Sequence, residues 1–70
     1  MNIIARKPKD ITNETITSET VVVDRGDGML HRYVVATVTV ESLNNNEWFW
    51  GTYFRGLSEA MAEFNSRGDR

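Results

Sequence analysis

The sequence predicts an α+β fold: a three-stranded antiparallel β-meander followed by one C-terminal α-helix packed on one sheet face. Two turn-forming clusters, Asp24–Gly28 and Leu43–Asn46, separate three segments rich in β-branched or aromatic residues. A segment with helical periodicity comes last. Seventy residues are enough for one domain only, and so short a chain buries about 60% of its unfolded surface. We expect a single βββα domain over residues 20–67.

Three strands are predicted in order along this domain. Thr20–Val23 is a β-branched run, and Asp27-Gly28 is a strong hairpin signal because glycine reaches φ > 0 without strain. His31–Ser42 reads as a long second strand, and Glu47–Phe54 as the third. Alternation along the second strand makes one side the better core face, namely that of Val34, Ala36, Val38 and Val40.

Residues 1–19 are predicted to form a flexible arm. They are rich in Thr, Asn, Lys and Glu, and Pro8 removes a backbone donor. A short edge strand near Ile11–Thr17 is the one regular element expected there.

The last element is predicted as an amphipathic helix. Its core positions repeat at i, i+3, i+4 and i+7: Leu57, Ala60, Met61 and Phe64. Ser58 is the expected N-cap, and Gly68 stands where a helix-ending glycine is common.

The third strand carries five aromatic residues in the eight positions from Glu47 to Phe54. Both of its faces are therefore aromatic, and one helix can cover only one of them. Which aromatics point inward is left open, because Gly51 could mark a bulge that switches the alternation. We expect a binding face on the uncovered side, formed by Tyr33, Val35, Glu41, Glu47, Trp48, Phe49, Trp50 and Tyr53.

Composition argues against catalysis and cofactor binding. The chain has no cysteine, its one histidine is His31 next to a turn, and its carboxylates do not cluster as in a metal loop. We predict a non-enzymatic protein with no cofactor or metal. No apolar run approaches the roughly 20 residues of a membrane span, and no signal-like segment opens the sequence, so a cytoplasmic protein is expected.

Charge is divided unevenly along the chain. The first nine residues contain Arg6, Lys7 and Lys9 and no acid, whereas the rest has five arginines against ten carboxylates, a net of −5. An acidic body repels nucleic-acid phosphates and attracts basic surfaces. The favoured partner is therefore a larger protein with a basic surface.

Trp48-Phe49-Trp50-Gly51-Thr52-Tyr53, followed by the Glu- and Ala-rich segment Leu57–Phe64, resembles the last strand and helix of AP2/ERF-type DNA-binding domains. The arm-binding domains of phage integrases are similar. The resemblance covers about residues 30–66 and implies a sheet that reads DNA. If the domain binds DNA in this way, Arg32, Phe49 and Tyr53 are the expected readers, with further basic contacts from Lys7, Lys9, Arg25 and Arg55.

Two function hypotheses follow. The favoured one is a protein–protein interaction module, similar in type to the short accessory proteins by which phages inhibit or regulate host nucleic-acid-binding machines. The alternative is a nucleic-acid-binding domain that uses its three-stranded sheet. Both monomer and homodimer remain open.

Overall fold

The computed structural model describes residues 1–67, which form one antiparallel sheet and two helices. The strands lie in the order β1-β2-β3-β4. The α+β class, the antiparallel sheet and the C-terminal helix are confirmed, but the sheet has four strands and not three. In chain order the elements are β1 (Asn2–Thr12), β2 (Thr15–Asp24), β3 (Tyr33–Val38), α1 (Val40–Asn44), β4 (Phe49–Phe54) and α2 (Leu57–Arg67).

The additional strand comes from the residues predicted to be a flexible arm. β1 pairs with β2 along its whole length, from Asn2 opposite Asp24 to Thr12 opposite Thr15. Asn13 and Glu14 connect the two strands with φ of 52° and 65°, the left-handed pair that a two-residue hairpin turn requires. The expected boundary at residues 19 and 20 falls inside β2. The turn escaped prediction because its second residue is glutamate and not glycine.

The central strands β2 and β3 bury side chains on both sheet faces. On the face covered by α2, which we call the helix side, Val22 and Val35 pack with Ala60 and Phe64. The opposite face has a second cluster, and its members are Val21, Val23, Val34, Ala36 and Val38, covered by Ile3, Leu43 and Trp48.

This arrangement corrects the predicted core face. Val34, Ala36 and Val38 are buried as expected, but they lie on the face opposite α2. Val40, expected on the same side of the strand, is instead an exposed residue at the start of a short helix. Val35, expected on an open binding face, is fully buried beneath the helix. Alternation identifies a core face only when the other face is solvated, and a strand buried on both sides gives no such contrast.

β3 is shorter than the strand predicted to reach Ser42, because α1 begins at Val40. Thr39 is the N-cap: its hydroxyl accepts from the Ser42 N–H at 3.1 Å, and the Ser42 hydroxyl accepts from the Thr39 N–H at 2.8 Å. This reciprocal capping box satisfies two backbone donors and ends the strand. Glu41, expected on the strand, is instead an exposed residue in the first turn of α1.

α2 packs through Ala60, Phe64 and the half-buried Met61, whereas Leu57 is 44% exposed and is not the core residue expected. Its first helical bond runs from the Ala60 N–H to the Gly56 carbonyl at 3.2 Å, so Ser58 lies inside the first turn and is not the N-cap. The Gly68 prediction lies outside the described residues. Within residues 1–67, neither helix has the length and apolar character needed to span a membrane.

Lys7 fastens the end of α2 to β1. Its ammonium donates to the Phe64 carbonyl at 2.5 Å and lies 4.5 Å from the centroid of the Phe64 ring. A cation at a helix C-terminus satisfies free carbonyls and interacts favourably with the macrodipole. The edge strand β1 is thereby tied to the helix.

The position of Val35 beneath α2 gives a stability prediction. Val35→Ala should lower the free energy of unfolding by about 2 kcal/mol, since it removes two fully buried methyl groups and leaves a cavity. Val40→Ala makes the same chemical change at a site that is 67% exposed and should stay within about 0.5 kcal/mol of the parent. Equal effects in urea-unfolding curves would contradict the burial of Val35.

Candidate functional site

A β-bulge interrupts β4 at the position that the sequence flagged. Val35 lies opposite Thr52 and Thr37 lies opposite Phe49, so two residues, Trp50 and Gly51, occupy the space opposite Ala36. Trp50 has φ of 52°. A left-handed conformation costs a residue with a side chain about 1–2 kcal/mol, and the surrounding contacts must stabilise it.

The bulge sorts the aromatic residues of β4 between the two sheet faces. Trp48 packs on the opposite face against the valine cluster, and its indole N–H donates to the Tyr53 hydroxyl at 3.1 Å. Phe49 and Trp50 border grooves on the helix side, next to Thr37. The sequence left open which aromatics point to which face. In the structure, Trp48 and Tyr53 lie on one face, and Phe49, Trp50 and Phe54 lie on the other.

Gly51 is required by the close approach of Trp48. A Cβ atom at this position would lie 3.0 Å from the Trp48 indole nitrogen and 3.1 Å from a Val34 methyl carbon. These distances are shorter than ordinary van der Waals contact. The glycine lets the chain pass over the half-buried Trp48 indole, while the neighbouring Trp50 turns away from it.

Arg67 holds the bulge from the last turn of α2. Its guanidinium donates to the Trp50 carbonyl at 3.1 Å and to the Thr52 hydroxyl at 2.8 Å. The same guanidinium pairs with Glu63 one turn earlier at 2.8 Å. Only 14% of the Arg67 side chain is exposed, so the helix end and the bulge form one rigid contact.

The two aromatic rings held in this way are exposed. Trp50 is 74% exposed and Phe49 is 46% exposed, and their ring centroids are 6.1 Å apart. Lys9 belongs to β1, the edge strand at the other edge of the sheet from β4. Its ammonium lies above the sheet, 5.1 Å from the Trp50 ring centroid. The Lys9–Trp50 contact spans a groove floored by Thr20 and Thr37.

The groove continues to the end of the sheet where the β1–β2 turn, α1 and the start of β4 meet. Thr17 and Thr39 border both the part next to Phe49 and Trp50 and a further part lined by Ile16 and Val40. Ile16 is 44% exposed and Val40 is 67% exposed. We call the surface formed by Ile16, Val40, Phe49 and Trp50, with the carboxylates beside it, the aromatic end.

Carboxylates surround the aromatic end without ion-pair partners. Ion pairs join Arg6 with Glu19, Arg32 with both Asp24 and Asp27, and Arg67 with Glu63. Asp10 and Glu41 border the grooves of the aromatic end, and Glu14 and Glu47 are the chain neighbours of Thr15 and Trp48. None of these four carboxylates has an ion pair within residues 1–67. Asp10 accepts a hydrogen bond from the Ser18 hydroxyl at 2.8 Å. The result is an apolar and aromatic surface with an acidic border.

Only part of the predicted binding face is therefore brought together. Phe49, Trp50, Glu41 and Glu47 lie at the aromatic end, whereas Val35 and the half-buried Tyr33 pack on the α2 core. Tyr53 lies on the opposite face with the Arg25 guanidinium 4.9 Å from its ring centroid. These residues do not share one surface, because α2 packs over Tyr33 and Val35 and the bulge puts Tyr53 and Phe49 on different faces. Ile16 and Asp10 were missed since the sequence placed them in an arm.

The basic residues of the nucleic-acid alternative are dispersed, and most take part in the fold. Arg25 donates to the His31 carbonyl at 2.5 and 3.1 Å. Arg32 forms a two-bond ion pair with Asp24 at 2.7 and 2.9 Å and also pairs with Asp27. The exposed Arg55 follows β4 at the same end of the sheet as these two, which is the end away from Lys9.

Comparisons with protein-family models, curated proteins and solved structures find no match to this chain. The resemblance to AP2/ERF-type and integrase arm-type domains therefore stays a prediction. Within residues 1–67, no three His, Cys, Asp or Glu side chains are grouped so that they could hold a metal ion.

The contact between Gly51 and Trp48 predicts a large effect of one added methyl group. Gly51→Ala should lower the free energy of unfolding by about 1–3 kcal/mol, because the indole and Val34 must both move. Gly28→Ala is the matched control, since a Cβ there meets nothing within 4 Å and the backbone needs no positive φ. If both variants unfold at the parent's urea midpoint, the close approach does not exist.

The Arg32–Asp24 pair predicts a component of acid sensitivity. Hydrogen bonds from Arg32, and then from the Gly26 N–H, lower the pKa of Asp24 from 3.8 to about 2. The stability from a lowered pKa is present above the unfolded-state value and is lost as pH falls through the folded-state value. The free energy of unfolding should thus fall between about pH 4 and pH 2, more steeply in the parent than in Asp24→Asn. Parallel curves would contradict the pairing.

Proposed function

We propose that this protein is a non-enzymatic binding module that docks on a basic, partly apolar surface of a larger protein through its aromatic end. The observation that carries the proposal is the exposure of Trp50 and Phe49 on a strained bulge. The carboxylates beside this bulge form no ion pair within residues 1–67. A fold that only needed to bury its aromatics would not hold a tryptophan at φ of 52° facing solvent.

The aromatic pair has the properties of interface anchors. Tryptophan and tyrosine dominate binding energies because they bring large apolar areas with few rotatable bonds. Arg67 holds the Trp50 backbone through a hydrogen bond to its carbonyl. The Phe49 backbone is held by its pairing with Thr37 in the sheet. Little conformational freedom remains to be lost on binding, which favours affinity.

The charges at the same end determine the character of the partner. Asp10, Glu14, Glu41 and Glu47 have no ion pair in the described part of the chain. Such carboxylates accelerate encounter with a basic surface and disfavour acidic ones. Ile16 and Val40 extend the apolar area, so the matching surface combines lysines or arginines with apolar side chains.

Nucleic-acid-binding proteins present surfaces of this kind, because they neutralise phosphates with lysine and arginine. We therefore propose a nucleic-acid-binding machine as the partner class, with this protein as its inhibitor or regulator in the manner of phage accessory proteins. Direct DNA binding is the alternative. An AP2-like pose would use the sheet face opposite α2, where Ile3, Leu43 and Trp48 already cover the valine cluster. On the other face, carboxylates border the exposed Trp50 and disfavour phosphate.

The first test measures binding of a short synthetic peptide in which lysine and leucine alternate. Phe49→Ala should weaken its binding about fivefold or more, the effect of losing an anchor. Leu30→Ala is the matched control, because Leu30 is 68% exposed and lies at the other end of the sheet. This variant should bind the peptide like the parent. Isothermal titration calorimetry reads both dissociation constants.

Three results would count against protein docking at the aromatic end. One is equal weakening by the Phe49 and Leu30 variants. Another is undiminished binding of the same peptide with every lysine acetylated, which would remove the role of charge. The third is tighter binding of a DNA duplex than of the peptide, with affinity falling steeply with salt as phosphate contacts require.

A further inference from the structure

The Lys9 side chain occupies a cation-binding position within its own chain. Its ammonium lies 5.1 Å from the Trp50 ring centroid, within the range of a cation–π interaction. Lys9 is the extra residue of a bulge between Pro8 and Asp10 in β1, and Trp50 belongs to the bulge of β4. Irregularities in both edge strands therefore bring the two side chains together above the sheet.

Two threonine hydroxyls, on residues that are themselves largely buried, open onto the groove beneath this contact. Thr20 and Thr37 face each other across β2 and β3, border the groove, and are only 3% and 4% exposed. Neither hydroxyl has a hydrogen-bond partner in the described part of the chain. No side-chain oxygen there is both buried and unpaired, so both hydroxyls reach the groove itself. They offer two oxygen acceptors below the aromatic ring.

Acidic groups stand on both sides of the groove. Asp10 borders it next to the hairpin, and Glu63 borders it from α2. Glu63 pairs with Arg67, whereas the Asp10 carboxylate accepts a hydrogen bond from the Ser18 hydroxyl and has no ion pair within residues 1–67. An aromatic face, hydroxyl oxygens and a carboxylate are groups that bind an ammonium or guanidinium.

We propose that a lysine or arginine side chain of the partner takes this position at Trp50 and displaces Lys9. The inference rests on the proposed function, since it names the group that the aromatic end recognises. Lys9 then acts as an internal competitor that keeps the position filled in the free protein. The partner's cation replaces one cation–π contact with another and gains the oxygen acceptors of the groove floor and Asp10.

The opposite assignment, a position for a carboxylate or phosphate, makes the reverse prediction for Lys9. If an anion bound there, Lys9 would be one of its ligands together with Arg67, which also borders the groove, and removal of the Lys9 ammonium would weaken binding. If a cation binds there, the same removal strengthens binding. The sign of one substitution therefore separates the two chemistries.

The experiment is a double-mutant cycle of Lys9→Met and Trp50→Leu, with the alternating lysine–leucine peptide as the probe. Methionine keeps the length and apolar stem of lysine and lacks the ammonium. Lys9→Met should bind the peptide about two- to fivefold more tightly, the affinity equivalent of one exposed cation–π contact. In the Trp50→Leu background the same substitution should change nothing, and the lysine-acetylated peptide should not gain from it.

Each other outcome overturns the displacement. Unchanged or weaker binding by Lys9→Met shows that Lys9 does not compete with the peptide. A gain that persists in the Trp50→Leu background reflects the general loss of a positive charge. If either result accompanies weakened binding by Phe49→Ala, the docking function stands and only the displacement fails. If the parent and Lys9→Met both fail to bind the peptide, both proposals fail.

Discussion

The β-bulge at Trp50 and Gly51 is the constraint on which the rest of the molecule depends. One inserted residue reverses the alternation of β4, so Trp48 covers the valines of one face while Trp50 turns to solvent on the other. Without it, the aromatics would alternate regularly, and Trp48 and Trp50 would share a face. Gly51 makes the reversal sterically possible, and Arg67 secures it from α2. Core packing and the exposed surface are therefore two consequences of the same local irregularity.

Burial on both sheet faces explains how so short a chain supports an exposed tryptophan. A chain of this length with one helix would leave a whole sheet face wet, and its stability would be correspondingly small. Here β1 widens the sheet, and Ile3, Leu43 and Trp48 cover the face that α2 does not reach. Lys7 joins β1 to the helix end. These contacts offset the backbone strain at Trp50.

The sequence predicted some features that depend on local chemistry and missed those that depend on tertiary context. The helical repeat at Ala60, Met61 and Phe64 and the β-bulge signal at Gly51 are local in the sequence. Both correspond to features of the fold. Strand β1 was missed because its residues are polar and its turn lacks glycine. Val35 was misplaced because a strand buried on both faces has no polar side to reveal its orientation. At the aromatic end, Phe49 and Trp50 were predicted as part of a binding face. Their proximity to Ile16, Val40 and Asp10 depends on the β1–β2 hairpin, which the sequence did not predict.

The most direct test of this account is a nuclear Overhauser spectrum of the free protein that assigns the neighbours of the two indole rings. The account predicts contacts from the Trp48 ring to Val34 and Gly51, and contacts from the Trp50 ring to the Lys9 methylene protons and to no core valine. Contacts from the Trp50 ring to Val34 or Ala36 would show that β4 lacks the bulge. The aromatic end, and the binding role assigned to it, would then be wrong.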